Sequence, residues 1–304
     1  MKKLVAILGP TGVGKSRLAL EIGERLDGEI ISADSRQVYR SMDIGTDKPA
    51  ISKRAQIPHY GIDIVNPDDS FSLANFTDIV AQAIEVISHK GKIPLLVGGT
   101  GQYVWAIIEG WEIPRIKPNI ELRNQLEERA ARGEADTLYR DLEEISPEAA
   151  ARIDPRNTRR VIRALEVAIT GGISRIQEKN PKYNSLIIGL TAPRNLLYQM
   201  IDERVDRMIH TGLKEEVEEL LRLGYSPDLP SMSGIGYRQI IRYLKGKCSL
   251  SEAIISIKND SHRLVRMQYN WFSLHDTRIK WFDITQPDYT DTIIGEVKGF
   301  INNP

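Results

Sequence analysis

The sequence has almost no cysteine and no long apolar run, and both absences narrow the class of protein. A single cysteine among 304 residues, Cys248, excludes an intrachain disulfide and a metal site built from several cysteines. No apolar run approaches the roughly 18 residues that a membrane-spanning helix needs. The apolar run after Lys2-Lys3 is ended by Gly9-Pro10, too early for a signal peptide. We therefore expect a cytoplasmic protein that has no membrane partner.

The chain also lacks an excess of either charge, since 41 basic residues balance 41 acidic ones. This balance argues against an indiscriminate polyanion binder, but it permits charge that is segregated along the chain. Basic residues are concentrated in Arg152–Arg163, Arg238–Lys247 and Arg263–Lys280. Each cluster could simply be a solvated helix face. Several of them together, with Tyr237 and Trp271 among them, favour RNA as a partner.

The most specific motif is an octapeptide near the start of the chain. It follows the apolar run Leu4–Leu8 and precedes a helical pattern that ends at Leu26. Strand, glycine-rich loop and helix, in this order, are typical of a P-loop, whereas an ordinary tight turn is the alternative. We predict that the loop binds a di- or triphosphate and that Ser16 contacts Mg²⁺. The octapeptide consists of Gly9, Pro10, Thr11, Gly12, Val13, Gly14, Lys15 and Ser16.

The pattern of the remaining elements predicts an α/β protein with a P-loop NTPase-like parallel sheet core and an all-helical insertion domain. Further strands are expected at 29–33, 93–97 and 185–190, with possible ones at 60–65 and 279–282. The stretch 42–58 is expected to be an irregular loop. From the proline-rich run 113–118 to about residue 181 only helices are expected, at 120–132, 134–144, 147–152 and 158–170. We therefore predict a core made of 1–112 and 184–304 and an insertion domain made of 113–183.

Asp34 follows the second predicted strand, so we expect it at the edge of the sheet where the P-loop also lies. A carboxylate at this position has two possible roles. It could act as a general base, or it could bind Mg²⁺ as the carboxylate at the end of a strand does in many P-loop proteins. The residues alone leave both roles open.

Five stretches together resemble the bacterial tRNA dimethylallyltransferases, also called tRNA isopentenyltransferases, and they occur in matching order over nearly the whole chain. The resemblance implies prenyl transfer from dimethylallyl diphosphate to the exocyclic amine of the adenosine just 3′ of the anticodon. It also implies a monomer that binds the tRNA anticodon stem-loop. The stretches are Gly9–Thr11, Asp34–Tyr39, Met42–Pro49, Gly98–Gly101 and Arg163–Val167.

The resemblance also implies roles for individual residues. Asp34 would be the general base, Thr100 would line the reaction channel, and Arg204 would grip the diphosphate. His262 and Met267 depart from the family's basic residues, which puts single tRNA contacts in doubt. The residues expected to contact tRNA are Asp34, Ser35, Arg36, Gln37, Thr100, Arg123, Arg159, Arg160, Arg163, Gly236, Tyr237, Arg238, Arg266 and Gln268.

Two other functions are consistent with the P-loop. A kinase of a small metabolite or nucleoside would use Asp34 on the acceptor hydroxyl, but it would leave the basic helical insertion unexplained. A non-catalytic, nucleotide-gated RNA-binding module would explain the basic clusters without any chemistry. A tRNA-dependent release of diphosphate from a prenyl donor would separate the predicted enzyme from both.

Overall fold

The computed structural model describes residues 1–113, 119–170 and 179–303. Its internal contacts divide the chain into two compact units, which we describe separately. The first unit, here called the core, contains Met1–Glu109 and Pro181–Pro304, and the second, here called the helical unit, is Gly110–Asn180. The proline-rich run at the predicted start of the insertion lies mostly outside the described residues.

A six-stranded parallel sheet forms the centre of the core, in the order β3-β2-β4-β1-β5-β6. Strands β1 and β4 are almost entirely apolar and buried, as expected for strands covered by helices on both faces. The parallel sheet predicted from the sequence is thereby confirmed. The strands are β1 Lys2–Leu8, β2 Gly28–Ser32, β3 His59–Tyr60, β4 Ile93–Val97, β5 Tyr183–Thr191 and β6 Ile279–Asp283.

Helices cover the sheet and make up the helical unit. In chain order they are α1 Lys15–Leu26, α2 Ile51–Gln56, α3 Leu73–His89, α4 Gly101–Ile108, α5 Ile120–Ala131, α6 Ala135–Ile145, α7 Pro147–Ala150, α8 Thr158–Ile169, α9 Arg194–His210, α10 Leu213–Arg222, α11 Tyr237–Leu244, α12 Leu250–Trp271 and α13 Tyr289–Asn302. Within the described residues, no helix combines the length and the apolar character that crossing a membrane requires.

Three local expectations were wrong. The stretch 42–58 contains the short helix α2, the edge strand β3 is only two residues long, and α13 was not expected. Helix α2 has no buried residue, so its sequence carries no apolar stripe that could reveal it. Strand β3 is short because the chain leaves the sheet at Gly61, whose φ is +80°.

The carboxyl ends of β1, β2 and β4 bring three of the predicted motifs to one edge of the sheet. Strand β1 leads into the P-loop, β2 leads to Asp34, and β4 leads to the turn 98–101. The turn lies so close to the end of β2 that a Cβ on Gly98 would stand 2.1 Å from the carbonyl oxygen of Ala33. Glycine at this position therefore lets the two loops meet.

The helical unit has its own small apolar core and one buried ion-pair network. Leu138, Leu142 and Leu165 are completely or almost completely buried between α6 and α8. Beside them, the fully buried carboxylate of Glu166 accepts hydrogen bonds from Arg123 (2.7 Å) and Arg163 (2.7 Å). Although burial alone would raise the pKa of Glu166, these hydrogen bonds lower it overall.

Substituting Glu166→Gln should destabilise the helical unit by about 2–3 kcal/mol, because both arginines lose their counter-ion. The estimate is below the usual cost of breaking a buried ion pair, since the two arginine side chains are 35% and 42% exposed. Hydrogen exchange of the α8 amides in the full chain measures the change. The destabilisation should be present at pH values above the ordinary glutamate pKa of 4.5. It should disappear as the pH falls, because the native carboxylate is then protonated too.

Glu144→Gln is the matched control, since this glutamate lies exposed near the end of α6. Equal exchange rates in the two variants would contradict the assigned role of Glu166.

Candidate active site

The P-loop turns directly from β1 into α1 and folds over its own lysine. The Lys15 ammonium donates hydrogen bonds to the carbonyl oxygens of Gly9 (3.0 Å) and Pro10 (2.7 Å). A Cβ on Gly9 would stand 2.4 Å from the carbonyl oxygen of Leu190 in β5, so glycine allows the loop to start this close to the sheet. Lys15 is also the first residue of α1, so its charge adds to the partial positive charge at the N-terminus of that helix.

Lys15 is the centre of a cluster of four charges. Burial lowers the pKa of its ammonium to about 8, and the charges of Asp34, Arg204 and Asp47 act on it as well. Three of these four residues were predicted to belong to the active site. The structure thus brings together Lys15, Asp34 and Arg204, which are far apart in the sequence.

Asp34 and Thr100 lie on the two loops that meet at the sheet edge. The Oδ1 atom of Asp34 accepts a hydrogen bond from the Arg36 amide (2.8 Å). The Thr100 hydroxyl oxygen accepts one from the Ser35 amide (3.1 Å), and the Thr100 amide donates to the carbonyl of Ala33. Among the described residues the other carboxylate oxygen of Asp34 has no hydrogen-bond partner, so it can accept a proton or coordinate a cation.

Arg204 reaches this cluster from α9, and its hydrogen-bonding capacity is largely unused. Its Nη1 lies 3.4 Å from the Oδ2 of Asp47, a long hydrogen bond. Its Nε is buried and has no hydrogen-bond partner in the part of the chain that the structure describes. The side chain is 17% exposed. A buried cationic donor without a partner is costly, so the guanidinium is suited to bind an anion that carries several oxygens.

The loop that carries Asp47 is held by a second carboxylate. Glu216 accepts hydrogen bonds from the amides of Asp43 (2.8 Å) and Ile44 (2.7 Å) and from the Tyr237 hydroxyl (2.6 Å). The sequence analysis assigned no role to Asp47 or Glu216. Asp47 lies inside a recognised motif, but Glu216 is one of several acids in α10 that nothing in the sequence distinguishes.

Gln268 connects α12 to both loops of the site. Its Oε1 accepts a hydrogen bond from the Thr11 amide (2.7 Å), and its Nε2 donates to the carbonyl of Gly99 (3.0 Å). The side chain is buried. Gln268 was predicted to contact tRNA, and this stays a prediction; in the structure its amide group joins the P-loop to the turn after β4.

Other residues predicted to contact tRNA differ widely in their surroundings within the core. Gln37 and Tyr237 are buried, and Gly236 precedes α11 in a conformation with φ of +95°. Arg36 donates to the carbonyls of Pro230 and Ser231, Arg238 pairs with Asp260 (2.6 Å), and Arg266 donates to the Tyr198 hydroxyl (3.0 Å). His262, one of the two departures, stacks on the Tyr198 ring.

The four arginines predicted for tRNA contact in the helical unit form two pairs. Arg123 and Arg163 share the buried Glu166. Arg159 and Arg160, in the first turn of α8, are exposed, and within the described residues their side chains have no ion-pair partner. The second pair is thus available for an external anion.

The oxygen atoms around the P-loop fit Mg²⁺ bound together with a phosphate group. No cluster of three or more His, Cys, Asp and Glu side chains in the described ranges could hold a metal by itself. Ser16 is exposed in the first turn of α1, and Asp34 has a free carboxylate oxygen. Mg²⁺ prefers such oxygen ligands and commonly binds through one or two protein groups, phosphates and water.

A family comparison identifies the group of proteins to which these residues belong. Residues 37–275 match the model of the family described as IPP transferase. The chain belongs to this family. It is 48% identical over 295 residues to a tRNA dimethylallyltransferase of Thermomicrobium roseum, covering 96% of this chain and 89% of that protein. It is also 48% identical to one of Chloroflexus aggregans, covering 96% of this chain and 98% of that protein.

Solved structures agree with this assignment and confirm the predicted fold class. The crystal structure of the tRNA isopentenylpyrophosphate transferase of Bacillus halodurans superposes with a TM-score of 0.73 at 41% identity, covering 99% of this chain and 96% of that one. A eukaryotic dimethylallyltransferase, solved acting on tRNA, superposes with a TM-score of 0.85 at 27% identity, covering all of this chain and 80% of that one. The roles of individual residues stay predictions.

The pKa of Lys15 predicts how the affinity for diphosphate depends on pH. Because the anion prefers the protonated ammonium, the contribution of Lys15 to the affinity should be constant below about pH 8 and should fall above it. The fall should approach about tenfold per pH unit, since binding then takes up a proton. Calorimetry with inorganic diphosphate, without metal, measures this. Lys15→Arg keeps its charge throughout and should remove the Lys15-dependent decline. An equal decline in that variant would assign it to another group.

Gln268→Ala should weaken the binding of inorganic diphosphate by up to about thirtyfold in the absence of RNA. The reason is that the P-loop loses a connection of two hydrogen bonds, each worth about 1 kcal/mol. Met267→Ala, a change at the exposed neighbouring position, is the control. An effect of Gln268→Ala on RNA binding alone would contradict the connecting role and favour direct RNA contact.

Proposed function

We propose that this chain transfers the dimethylallyl group of dimethylallyl diphosphate to the N6 amine of the adenosine just 3′ of the anticodon of tRNA, releasing diphosphate. Membership of the IPP transferase family supports the class of reaction. The single structural observation that carries the proposal is the cluster of Lys15, Arg204 and Asp34 at the P-loop. It combines two cations for an anionic leaving group with a carboxylate that can accept a proton.

The leaving diphosphate determines what the cations must do. Attack on the allylic carbon becomes fast when the negative charge that develops on the departing diphosphate is stabilised. Lys15 and Arg204 would supply that stabilisation, together with the partial positive charge at the start of α1. A bound Mg²⁺, held by the Ser16 hydroxyl, would neutralise further charge on the phosphate oxygens.

The adenine amine is a poor nucleophile, because its lone pair is delocalised into the ring. Asp34 would accept the amine proton with its free carboxylate oxygen as the new carbon–nitrogen bond forms. Thr100, whose hydroxyl oxygen accepts a hydrogen bond from the Ser35 amide, would line the path between the adenine amine and dimethylallyl diphosphate. The base must leave its stack to reach this edge of the sheet, which costs a few kcal/mol and least in an unpaired loop.

The helical unit and the exposed arginines would bind the tRNA. Arg159 and Arg160 are suited to phosphate groups, since they are exposed and carry no intramolecular ion pair among the described residues. Arg123 and Arg163 would act mainly through the network around Glu166. We propose further that the chain works as a monomer in the cytoplasm, with residues 113–183 as the tRNA-contacting domain.

The kinase and the non-catalytic module are not favoured. The relatives that match nearly the whole chain are dimethylallyltransferases. Prenyl transfer also explains a P-loop whose cations face a carboxylate. The departing diphosphate needs an anion site like the one that a transferred phosphate needs, and the carboxylate accepts the proton of the amine.

Asp34→Asn should lower the turnover number by about 10²–10⁴-fold, because the proton acceptor is lost, while tRNA affinity stays within about threefold. The assay follows the label of an allylic diphosphate into an anticodon stem-loop with adenosine 3′ of the anticodon. Asp68→Asn, at an exposed position in the loop after β3, is the control. Unchanged turnover would remove Asp34 from this role. Phosphoryl transfer from ATP without prenyl transfer would establish the kinase instead.

The Mg²⁺ dependence of the same variant separates the two roles of Asp34. A general base can be lost without changing the Mg²⁺ concentration needed for half-maximal rate. The loss of a metal ligand, in contrast, should raise the Mg²⁺ concentration needed for half-maximal rate about tenfold or more.

A further inference from the structure

The guanidinium of Arg204 pairs with Asp47, and the diphosphate of the proposed substrate would compete with Asp47 for it. A guanidinium offers five donors, and the hydrogen bond to Asp47 (3.4 Å) is long. The buried Nε has no partner within the described residues. Asp47 thus neutralises Arg204 without satisfying it, and a diphosphate with several oxygens would bind the same group better.

The fold holds Asp47 in this position. Its φ is +53°, a left-handed conformation that aspartate tolerates better than most residues. Its backbone amide donates a hydrogen bond to the carbonyl of Ile44 (3.1 Å), and its backbone carbonyl accepts one from the side-chain amide of the buried Gln37 (3.4 Å). The loop is held further by Glu216. These backbone contacts hold the Asp47 carboxylate beside Arg204, although the side chain of Asp47 is 57% exposed.

Asp47 also faces the second cation of the site. Its negative charge acts on the ammonium of Lys15, as the charges of Asp34 and Arg204 do. A diphosphate that contacts both Lys15 and Arg204 would bind the cations that Asp47 partly neutralises. Asp47 is a second carboxylate, beside Asp34, in a site that needs cations, and prenyl transfer as proposed above gives it no chemical step.

We propose that Asp47 competes with diphosphate for Arg204 and thereby sets how tightly the site holds donor and product. The donor displaces the carboxylate when it binds, and the carboxylate pairs with Arg204 again as diphosphate leaves. This inference rests on the proposed function, since it requires Arg204 to bind a diphosphate. Asp47 is a positioning residue that acts through Arg204.

The competition has a use in turnover. Lys15, Arg204 and the start of α1 would hold the released diphosphate as well as the donor, and a product bound too tightly limits the rate. A carboxylate that returns to Arg204 weakens both complexes, and it accelerates the step in which diphosphate leaves.

Asp47→Asn should make inorganic diphosphate bind about three- to tenfold more tightly, because the variant has the same shape but no competing charge. Calorimetry measures the affinity directly, and inhibition by diphosphate in the transfer assay should strengthen by the same factor. The gain should disappear in an Arg204→Ala background. Asp206→Asn is the matched control, since this residue lies on the same helix as Arg204, is 59% exposed and pairs with Lys258.

A second variant guards against a folding defect. Asp47→Gly removes the carboxylate at a left-handed position that glycine favours, and it should tighten binding to a similar extent. Unchanged or weaker binding in both variants, with the wild-type melting temperature, would overturn the inference. A gain that persists in the Arg204→Ala background would overturn it too, because the charge would then act on the anion directly.

The same experiment separates this inference from the proposed function. If the wild-type chain binds diphosphate and Lys15→Ala does not, the site is established whatever Asp47 does. If the wild-type chain fails to bind diphosphate, both the site and the competition at Arg204 are excluded.

Discussion

The candidate active site depends on keeping a cation partly out of water beside two carboxylates and a second cation. Burial lowers the pKa of Lys15 to about 8, and Asp34 and Asp47 offset part of that cost. The parallel sheet makes the arrangement possible, because the carboxyl ends of β1, β2 and β4 bring the P-loop, Asp34 and Thr100 to one edge. Arg204 and Gln268 then reach that edge from helices late in the chain.

Much of the fold could be predicted from the sequence, because long apolar segments reveal buried strands and helices. Strand β4 has the predicted bounds. The helices α5, α6 and α8 lie within two residues of their predicted ends. Short or exposed elements such as α2 carry no comparable pattern. Helix α13 was overlooked although it buries Ile293 and Val297, and its two glycines weaken the helical signal.

The site could be predicted in part. The P-loop motif identified Lys15, the strand pattern identified Asp34 and the family resemblance implied Arg204, and the structure brings the three together. Residue type alone could not distinguish an RNA contact from an internal hydrogen bond, since both use the same polar and aromatic side chains. Gln37, Tyr237 and Gln268 are buried, which only their tertiary surroundings reveal. Asp47 could not be identified either, because its proposed role depends on its short distance from Arg204, which lies on α9.

The hydrogen bond between the Thr11 amide and Gln268 joins residues separated by 257 positions. Strand β1 likewise pairs with β5, where Lys2 lies opposite Tyr183. The P-loop is therefore held in its final shape only after α12 has folded against it. Contacts of such long range slow folding, because the loop-closure entropy is lost before the contacts form. The anion site proposed at the P-loop is thus completed by segments that lie far apart in the chain, so a defect in α12 would disturb it as directly as a change in the loop itself.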